Sequence, residues 1–535
     1  MALSVSRRLS KSELAPLAAL VLYASLLGVV MFFHEPWFDE AESWLIARDA
    51  AYREILFTIP HYEGHPPFWW LLLSIPAKLR LPYELSIKTI NAVFSIFAAA
   101  LLLFKAPFPT WIRCALPFSY FLFYQYGVQS RPYSIMTCAV FLAAVTWAQR
   151  DLHPFRFSLT LLLLCLTSAY GIIIAGGIAL AWTIELLKKH ELLRIDRRFF
   201  SLLLLFVSAL TLILLILPRD DTYASARTIY GETNTQLQRI YYAFFCLPSE
   251  AAVTSYGADT LFHYFQPDLR RTAVMTIVSL VIWTGLLRFA HKGGTTLYLV
   301  LPAFLLLSFS ALTYFSMHHL GILYLLFLFS LWISWGPNSV QNSLRRNQPV
   351  SVFLTAGIAV SLLITCIWSV IASVREVNSD FSMGRALAAF VQDNQLQKYR
   401  WSAYWAWETD KSNPSAVIYE NTHYYAWPVV EANPYLDQPL LGEILSGKSY
   451  IDHVLPSKEQ VEREKAALET RGTDIFVGMP LGEDARRRLR ISNDFTLLTQ
   501  LESGHIWKTH KGWDIVFVCG SPEIHEQILE NGKEK

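Results

Sequence analysis

Long apolar stretches recur along most of this chain, and they constrain its fold more than any other feature. Hydrophobic residues make up 53% and charged residues 16% of the 535-residue sequence, whose mean hydropathy is +0.32. So few charges cannot cover a water-facing surface, whereas apolar runs of roughly 20 residues have the length that a membrane-crossing helix needs. The sequence therefore predicts a polytopic α-helical membrane protein.

About eleven stretches predict membrane-spanning helices by their length and hydropathy. The first covers 14–33, and the basic residues Arg7, Arg8 and Lys11 before it predict a cytoplasmic amino end. The others cover 85–104, 114–128, 133–148, 157–169, 172–187, 199–217, 272–289, 295–315, 320–335 and 350–373. The two stretches on either side of Tyr170 are short for two crossings, so a single kinked helix is the alternative there.

A twelfth apolar stretch, 68–79, is bracketed by prolines and is too short to span, so it predicts a juxtamembrane helix in the first outer loop. With that choice, nearly all short basic loops fall on the side of the N-terminus, as the positive-inside rule requires, and Arg270 and Arg271 are the exception. The same topology places Asp39, the turn at 129–131, the segment 317–319 and the C-terminal part of the chain on the outer face.

The composition changes after Ser373 from apolar to charged and mixed. We therefore expect a transmembrane catalytic domain over 1–374 and an extracytoplasmic soluble domain over 375–535. Within the latter, 416–419, 474–478 and 514–518 predict buried strands, and 457–470 predicts a capped amphipathic helix. Strands and helices in this order predict a small α/β domain.

Charge and cysteine content exclude several functions. The net charge is only +2 and the basic residues form short clusters between apolar runs, so nucleic acid is not an expected partner. The six cysteines are scattered without CxxC spacing, which indicates neither a thiolate metal site nor a disulfide framework. The chain also lacks a glycine-rich nucleotide-binding motif.

A carboxylate-rich loop after the first predicted span carries the strongest functional signal. It contains Asp39, Glu40 and Glu42, followed by Glu63 and His65. Acids beside a membrane are costly unless they face water, a partner charge or a substrate, so they mark a functional-site hypothesis. The alternative is an ordinary solvated loop.

The same loop could hold a divalent metal, bound by His65 together with Asp39 or Glu63, because imidazole and carboxylate suit several such ions. The alternative for His65 is a hydrogen bond within the loop, with Pro66 and Pro67 setting the direction of the following helix. The spacing of these residues identifies no particular ion.

Three motifs in order resemble those of the GT-C membrane glycosyltransferases. They are Phe-Asp-Glu-Ala at 38–41, Glu-Gly-His-Pro-Pro-Phe-Trp at 63–69, and Gln-Ser-Arg-Pro-Tyr at 129–133. The chain is most similar to the glycosyltransferase family 39 group, related to protein mannosyltransferases, aminoarabinose transferases and lipopolysaccharide galacturonosyltransferases. The similarity extends to about residue 335 and includes Met-His-His-Leu-Gly at 317–321, where relatives often carry an Arg-His pair.

The resemblance implies transfer of a sugar from a polyprenyl-phosphate carrier to a hydroxyl of a lipid, glycan or protein at the outer face of the inner membrane. An acceptor hydroxyl must lose its proton as it attacks, so a carboxylate base is required. By its place in the family motif, Asp39 is the expected base, and Glu40 would orient Asp39, bind a cation or contact the acceptor. Simple proton removal with one displacement predicts inversion at the anomeric carbon.

The departing lipid phosphate needs cationic or N–H donors. The expected donors and sugar contacts are Arg131, Gln129, Tyr133, His318, His319, Tyr62, Glu63 and His65. For Arg131 the alternative is snorkelling to lipid headgroups, and for the histidines and aromatic residues it is interfacial anchoring. No cofactor is required, apart from the divalent metal considered above.

Two other function classes fit a chain of many helices. A transporter or lipid flippase would place charges near the bilayer midplane and show paired repeats, whereas here no repeat is evident and the acids cluster toward one surface. A non-catalytic membrane scaffold would leave Asp39 dispensable. The sequence favours the transferase.

Overall fold

The structure is a computed structural model. It describes residues 11–222 except 193, then 235–253, 269–313, 315–335, 349–404, 427–441 and 448–454 except 452. It also describes 459–533 apart from 460–462, 464–465, 467–469, 479, 484–485, 487–490, 509 and 512–513.

Helices form most of the described chain. In order they are α1 (Lys11–Phe33), α2 (Phe38–Asp49), α3 (Tyr52–Phe57), α4 (Pro60–Glu63), α5 (Phe68–Lys78), α6 (Tyr83–Lys105), α7 (Thr110–Ala115), α8 (Tyr133–Trp147), α9 (Pro154–Cys165), α10 (Ala169–Lys188), α11 (Arg197–Ile216), α12 (Gln236–Phe245), α13 (Leu247–Ala252), α14 (Leu269–Gly293), α15 (Thr296–Leu312), α16 (Leu320–Ser334), α17 (Pro349–Asn378), α18 (Gly384–Asp393), α19 (Trp427–Ala432) and α20 (Pro522–Lys533).

Seven of the described helical segments are long and apolar enough to cross a membrane. They are Glu13–Phe33, Tyr83–Lys105, Ala169–Lys188, Arg197–Ile216, Leu269–Gly293, Met317–Ser334 and Val352–Asn378. Three shorter apolar helices, α8, α9 and α15, match three further predicted spans. The expectation of a polytopic helical membrane protein is confirmed, although fewer helices reach full spanning length than the eleven apolar stretches suggested.

The predicted span at 114–128 is not one continuous α-helix. It comprises the end of α7, a 3-10 turn (Leu116–Phe118) and a π-helix (Phe121–Val128). Pro117 explains the interruption, because its ring removes a backbone donor and clashes with the preceding turn of an α-helix. Apolar periodicity alone does not reveal such a break.

The structure also decides between the alternatives for the stretches around Tyr170 and shows the helix predicted at 68–79. The stretches around Tyr170 form two helices, α9 and α10, and Ser168 caps the second by accepting a hydrogen bond from the backbone N–H of Gly171 at 3.2 Å. The single kinked helix is therefore not observed. The stretch at 68–79 forms α5, which buries Trp69, Trp70 and Leu73 and packs against α2.

Contacts divide the chain into two compact units. Unit 1 comprises Met1–Phe32, Lys88–Leu215 and Glu232–Val374, and unit 2 comprises Phe33–Ile87, Ile216–Gly231 and Arg375–Lys535. The longest segment of unit 2 begins where the composition changes. Unit 2 also takes in 33–87 and 216–231, which the division at residue 374 placed with the membrane helices.

Close helix packing characterises unit 1. Helix α10 packs against α9 and α15, and Gly177 of α10 lies so near Pro302 of α15 that a Cβ atom there would come within 2.4 Å of the proline Cα. At the end of α10, Glu185 accepts hydrogen bonds of 2.7 Å from both Arg150 and the Tyr298 hydroxyl. Small residues and satisfied polar contacts thus hold these helices together, as expected where lipid offers no hydrophobic drive between helices.

A small mixed sheet forms the C-terminal part of unit 2. Strands β1 (Trp401–Tyr404), β2 (Ile475–Gly478), β3 (Thr496–Ser503) and β6 (Asp514–Gly520) lie in the order β1-β2-β6-β3, with β1 parallel to β2 and the other pairs antiparallel. Strands β4 (Ile506–Trp507) and β5 (His510–Lys511) form a separate pair. The small α/β region that the sequence predicted is confirmed.

Strand β2 is buried on both faces, which explains why it reads as a continuous apolar run. Ile475 and Val477 belong to one core cluster with residues of α18 and α20, whereas Phe476 and Cys519 belong to a second cluster. The predicted strands at 474–478 and 514–518 match β2 and β6. The predicted strand at 416–419 lies outside the described residues. Of the predicted helix at 457–470, the described positions 459, 463, 466 and 470 are helical.

Replacing Gly177 by alanine tests the packing of α10 on α15. The new Cβ would overlap the Pro302 backbone, and such overpacking costs about 1–3 kcal/mol. Gly176→Ala is the matched control on the same helix, because no atom lies within 4 Å of its added Cβ. In thermal unfolding of the detergent-solubilised protein, Gly177→Ala should melt lower and Gly176→Ala should melt at or above the wild-type temperature. Equal melting of the two variants would contradict the described crossing.

Candidate functional site

The acidic pair Asp39-Glu40 lies in the first turn of α2. The backbone N–H of Trp37 donates to Glu40 Oε2 at 3.1 Å, and the Ser43 hydroxyl donates to the Asp39 carbonyl at 2.7 Å. A helix N-terminus carries unpaired N–H groups and a positive dipole end, both of which favour negative charge. The sequence therefore begins a helix here in a way that stabilises two adjacent carboxylates.

Glu40 belongs to a buried cluster with His34 and Glu376. His34 Nε2 lies 3.0 Å from Glu40 Oε2, and His34 Nδ1 lies 2.8 Å from Glu376 Oε1. All three side chains are shielded from solvent. Because a carboxylate faces each ring nitrogen, the imidazole carries a proton on both and is the cation of the cluster. Burial alone lowers the pKa of His34, but the charges of Glu40 and Glu376 outweigh it and raise that pKa to about 10.

The two acids of the pair therefore differ in accessibility. Glu40 is fully buried, whereas Asp39 is only partly buried. Of the two, only Asp39 offers surface to an incoming group. Sequence reasoning assigned catalytic roles to both residues, and the observed position of Glu40 suits orientation of the helix that carries Asp39.

The segment 60–65 follows as a short helix and a tight turn. Gly64 ends α4 with a φ of 66°, a conformation that favours glycine, and Pro67 precedes α5. The Tyr62 hydroxyl donates to Asp221 at 3.1 Å, and His61 Nδ1 lies 2.8 Å from the Leu217 carbonyl oxygen. Burial is the largest cause that raises the pKa of Tyr62, so it stays a neutral hydroxyl at physiological pH. His65 is partly buried in this turn.

Glu63 has a partner that no sequence motif indicated. His453 Nε2 lies 3.2 Å from Glu63 Oε1 and 3.3 Å from Glu42 Oε1. Among the described residues, these three side chains form a group whose ligand atoms lie within 4.8 Å of one another. Of the metal ligands suggested by the sequence, Glu63 belongs to this group, whereas Asp39 and His65 do not. No motif surrounds His453 that could have revealed it.

A second set of predicted residues lies in unit 1, where the π-helix leads into the turn at 129–131. Gln125 bridges Tyr120 and Gln129, accepting from the Tyr120 hydroxyl at 2.9 Å and donating to Gln129 Oε1 at 2.5 Å. Asn91 donates to the carbonyls of Gly127 and Gln129 at 2.7 and 3.1 Å. The Asn91 bonds satisfy backbone carbonyls of the π-helix and the turn, and π-helical turns are frequent at functional sites.

Arg131, Tyr133, His318 and His319 come together within unit 1. The Arg131 guanidinium lies 5.6 Å from the Tyr133 ring centre, and that ring lies 6.0 and 6.2 Å from the rings of His318 and His319. Ser316 holds both histidines, through its hydroxyl to His318 Nδ1 at 2.6 Å and its backbone N–H to His319 Nδ1 at 3.0 Å. Because His319 Nδ1 accepts a hydrogen bond from the Ser316 amide, its Nε2 is the nitrogen that carries hydrogen in the neutral ring.

Tyr126 supports this group from the π-helix. Its ring stacks on Tyr133 with centroids 4.8 Å apart, and its hydroxyl donates to the His318 carbonyl at 2.8 Å. Gly321 permits the approach, because a Cβ there would lie 2.5 Å from the Tyr126 ring. Five residues predicted from the sequence, Gln129, Arg131, Tyr133, His318 and His319, thus lie around one aromatic stack. Asp39, Glu40, Tyr62, Glu63 and His65 lie in unit 2.

Comparisons with known proteins add little to this geometry. No family model matches the chain, and no curated protein matches it. Among solved structures, the chain is similar to the cryo-EM structure of the arabinofuranosyltransferase AftD from mycobacteria, with a TM-score of 0.37 and 13% sequence identity. The similarity covers 94% of this chain and 39% of the AftD chain. A likeness this distant supports no statement about activity.

The buried charge cluster makes stability depend on pH. Because the folded-state pKa of His34 is raised, its stabilising contribution is complete below about pH 6.5 and is lost as the pH rises through about 10. Burial raises the pKa of Glu35 to about 7, so Glu35 contributes a constant amount above that pH. Between pH 7.5 and 10.5, the free energy of unfolding of the wild type should therefore fall by up to about 1.4 kcal/mol per pH unit, which is the limit for one proton. Thermal unfolding at several pH values measures this slope.

His34→Gln should lose this pH dependence and melt lower at pH 7.5, because it leaves two buried carboxylates without their cation, at a cost of about 3–5 kcal/mol. His525→Gln, in a partly buried position on α20, is the control and should behave as the wild type. If the melting temperatures of His34→Gln and the wild type fall in parallel as the pH rises, His34 is not the cation of the cluster.

Proposed function

We propose that this chain is an inverting membrane glycosyltransferase that moves a sugar from a polyprenyl-phosphate donor to an acceptor hydroxyl. The observation that carries the proposal is the difference in burial between the two acids at the start of α2. Glu40 is buried and neutralised by His34, while Asp39, next to it at the helix N-terminus, remains accessible. A fixed and accessible carboxylate is what a general base requires.

In the proposed reaction, Asp39 takes the proton of the acceptor hydroxyl as its oxygen attacks the anomeric carbon. The bond between that carbon and the phosphate oxygen breaks, and the lipid phosphate leaves with the electron pair. One displacement inverts the anomeric configuration. A covalent intermediate would need a second carboxylate as nucleophile on the opposite face of the sugar.

The group of Arg131, His318 and His319 around Tyr133 would bind the leaving phosphate. Arg131 offers a planar fork for phosphate oxygens, and the N–H groups of His318 and His319 offer further donors. The Tyr126 stack and the Ser316 hydrogen bonds hold these side chains, so little ordering is needed when the donor binds. Gln129 and Tyr133 would shape the same site, and Tyr62, Glu63 and His65 would contact the sugar.

The proposed topology follows from the distribution of charge. Arg7, Arg8 and Lys11 favour a cytoplasmic N-terminus, and the basic residues of the short loops favour the same side. The candidate base and the C-terminal part of unit 2 would then face the extracytoplasmic side of the plasma membrane, which is the inner membrane in a double-membraned cell. There the donor would be a lipid-linked sugar, and the acceptor a lipid, glycan or protein of the cell envelope, such as lipopolysaccharide.

Asp39→Asn tests the proposed base. The amide cannot accept the proton, so transfer should fall by about 10²–10⁴-fold. Asp49→Asn, at the other end of α2, is the matched control and should retain transfer. The assay compares lipids and glycans of cells that lack this chain and carry the wild type or either variant, with membrane insertion checked in parallel. The sugar and acceptor that reappear with the wild type identify the substrates.

Transfer by Asp39→Asn at the wild-type rate would remove Asp39 as base and favour a non-catalytic scaffold. If cells lacking the chain instead accumulate an untransported lipid that Asp39→Asn clears normally, the flippase alternative is supported. Both outcomes would contradict the proposal.

Arg131→Ala tests the proposed phosphate contact. Losing a charged hydrogen-bonding partner should raise the apparent KM for the lipid-phosphate donor about tenfold or more while leaving that for the acceptor nearly unchanged. Arg131→Lys should recover part of the loss, since lysine keeps the charge but not the fork. Donor affinity that is equal in all three proteins would show that Arg131 only anchors the helix to the membrane surface.

A further inference from the structure

Three ligand-bearing side chains from distant parts of the sequence meet within unit 2. Glu42 lies on α2, Glu63 ends α4, and His453 lies in the C-terminal segment. His453 Nε2 is 3.3 Å from both carboxylate oxygens of Glu42 and 3.2 Å from Glu63 Oε1. Glu42 is 4% exposed, so this group reaches below the surface of the unit.

Independent contacts hold the three residues in place. The Ser449 hydroxyl donates to Asp49, the last residue of α2, at 2.5 Å, which holds Ser449 against the helix that carries Glu42. Thr222 pairs with Val454, and Asp221 accepts from Tyr62, which brings His453 beside Glu63. The cluster is thus fixed by contacts that do not involve its own charges.

The spacing of the ligand atoms fits a bound metal better than an ion pair. A charge-assisted hydrogen bond is about 2.7–2.9 Å long, which is shorter than all the contacts here. Ligands about 2.1 Å from a tetrahedral metal ion lie about 3.4 Å apart, close to the separations of His453 Nε2 from Glu42 and Glu63. One N–H group shared between two carboxylates makes two bent and weaker hydrogen bonds, whereas one metal ion bonds all three groups.

The hydrogen bonding of the buried Glu42 carboxylate also favours a metal ion. Glu42 Oε1 is buried and accepts no hydrogen bond with proper geometry from any residue in the described part of the chain. A buried carboxylate oxygen without a well-formed hydrogen bond is costly. Two carboxylates and a neutral imidazole carry a charge of −2, which a divalent cation neutralises.

We propose that Glu42, Glu63 and His453 bind a divalent transition-metal ion, with zinc as the ion that suits one imidazole and two carboxylates at tetrahedral spacing. The ion would clamp the turn at 60–65 and the C-terminal segment onto α2. It takes no part in the proton transfer proposed for Asp39, and the proposal stands whether or not the chain is a glycosyltransferase.

Metal analysis of the full-length protein in detergent is the direct test. After treatment with a chelator and dialysis, zinc should bind with a stoichiometry of one ion per chain, measured by mass spectrometry of the metal content. Saturating zinc should raise the melting temperature by roughly 5 °C, because the ion binds only the folded state. Magnesium and calcium, which prefer sites made entirely of oxygen, should produce no comparable shift.

Variants separate the metal site from an ion pair. His453→Ala and Glu42→Gln should lose the bound ion and the zinc-dependent shift, whereas His525→Ala should keep both. His453→Lys places a permanent cation beside both glutamates but cannot act as a zinc ligand at neutral pH, so it should also lose the zinc response.

The proposal is overturned if the wild type neither retains nor responds to zinc or manganese, or if His453→Ala still binds one ion per chain. A His453→Lys protein as stable as the zinc-loaded wild type would establish the ion pair instead. Because the metal-free wild type is itself compared with the loaded one, the test does not depend on the variants folding. A response to manganese in place of zinc supports the same three ligands with a different ion.

Discussion

The buried imidazolium of His34 is the interaction on which the arrangement of the candidate base depends. It lies just beyond α1 and connects Glu40, in the first turn of α2, with Glu376 near the end of α17. Charges are buried in proteins only when they are paired, so removing His34 leaves two buried carboxylates without their cation. The start of α2 is therefore fixed in position and direction, and Asp39, the next residue toward the N-terminus, is fixed with it.

The group in unit 1 achieves rigidity by other means. There Tyr126 stacks on Tyr133 and donates to the His318 carbonyl, and Asn91 donates to the Gly127 carbonyl of the π-helix. Stacked rings have few rotatable bonds and lose little entropy when a ligand binds. Such a scaffold holds Arg131, His318 and His319 in a defined arrangement.

The sequence predicted those elements whose signal is local. The apolar runs predict the helices, the flanking prolines predict that α5 is separate from them, and the runs at 474–478 and 514–518 predict strands because they are short, apolar and bounded by polar residues. The π-helix was missed, since an aromatic run has the same appearance in either helix type. The contacts of His34 with Glu376 and of His453 with Glu42 join residues more than 300 positions apart. No local pattern encodes them.

Asp39, Glu40 and Glu42 have different surroundings because helical geometry directs them to different sides of α2. Successive residues are rotated by about 100°, so Glu40 lies about 100° from Asp39 in one direction and Glu42 about 60° in the other. Glu40 and Glu42 are thus on nearly opposite sides of the helix, one directed to His34 and the other to His453. Asp39 lies between them and retains exposed surface. One turn of helix therefore separates a structural carboxylate, an accessible carboxylate and a potential metal ligand, and limits the repulsion that three adjacent negative charges would otherwise exert.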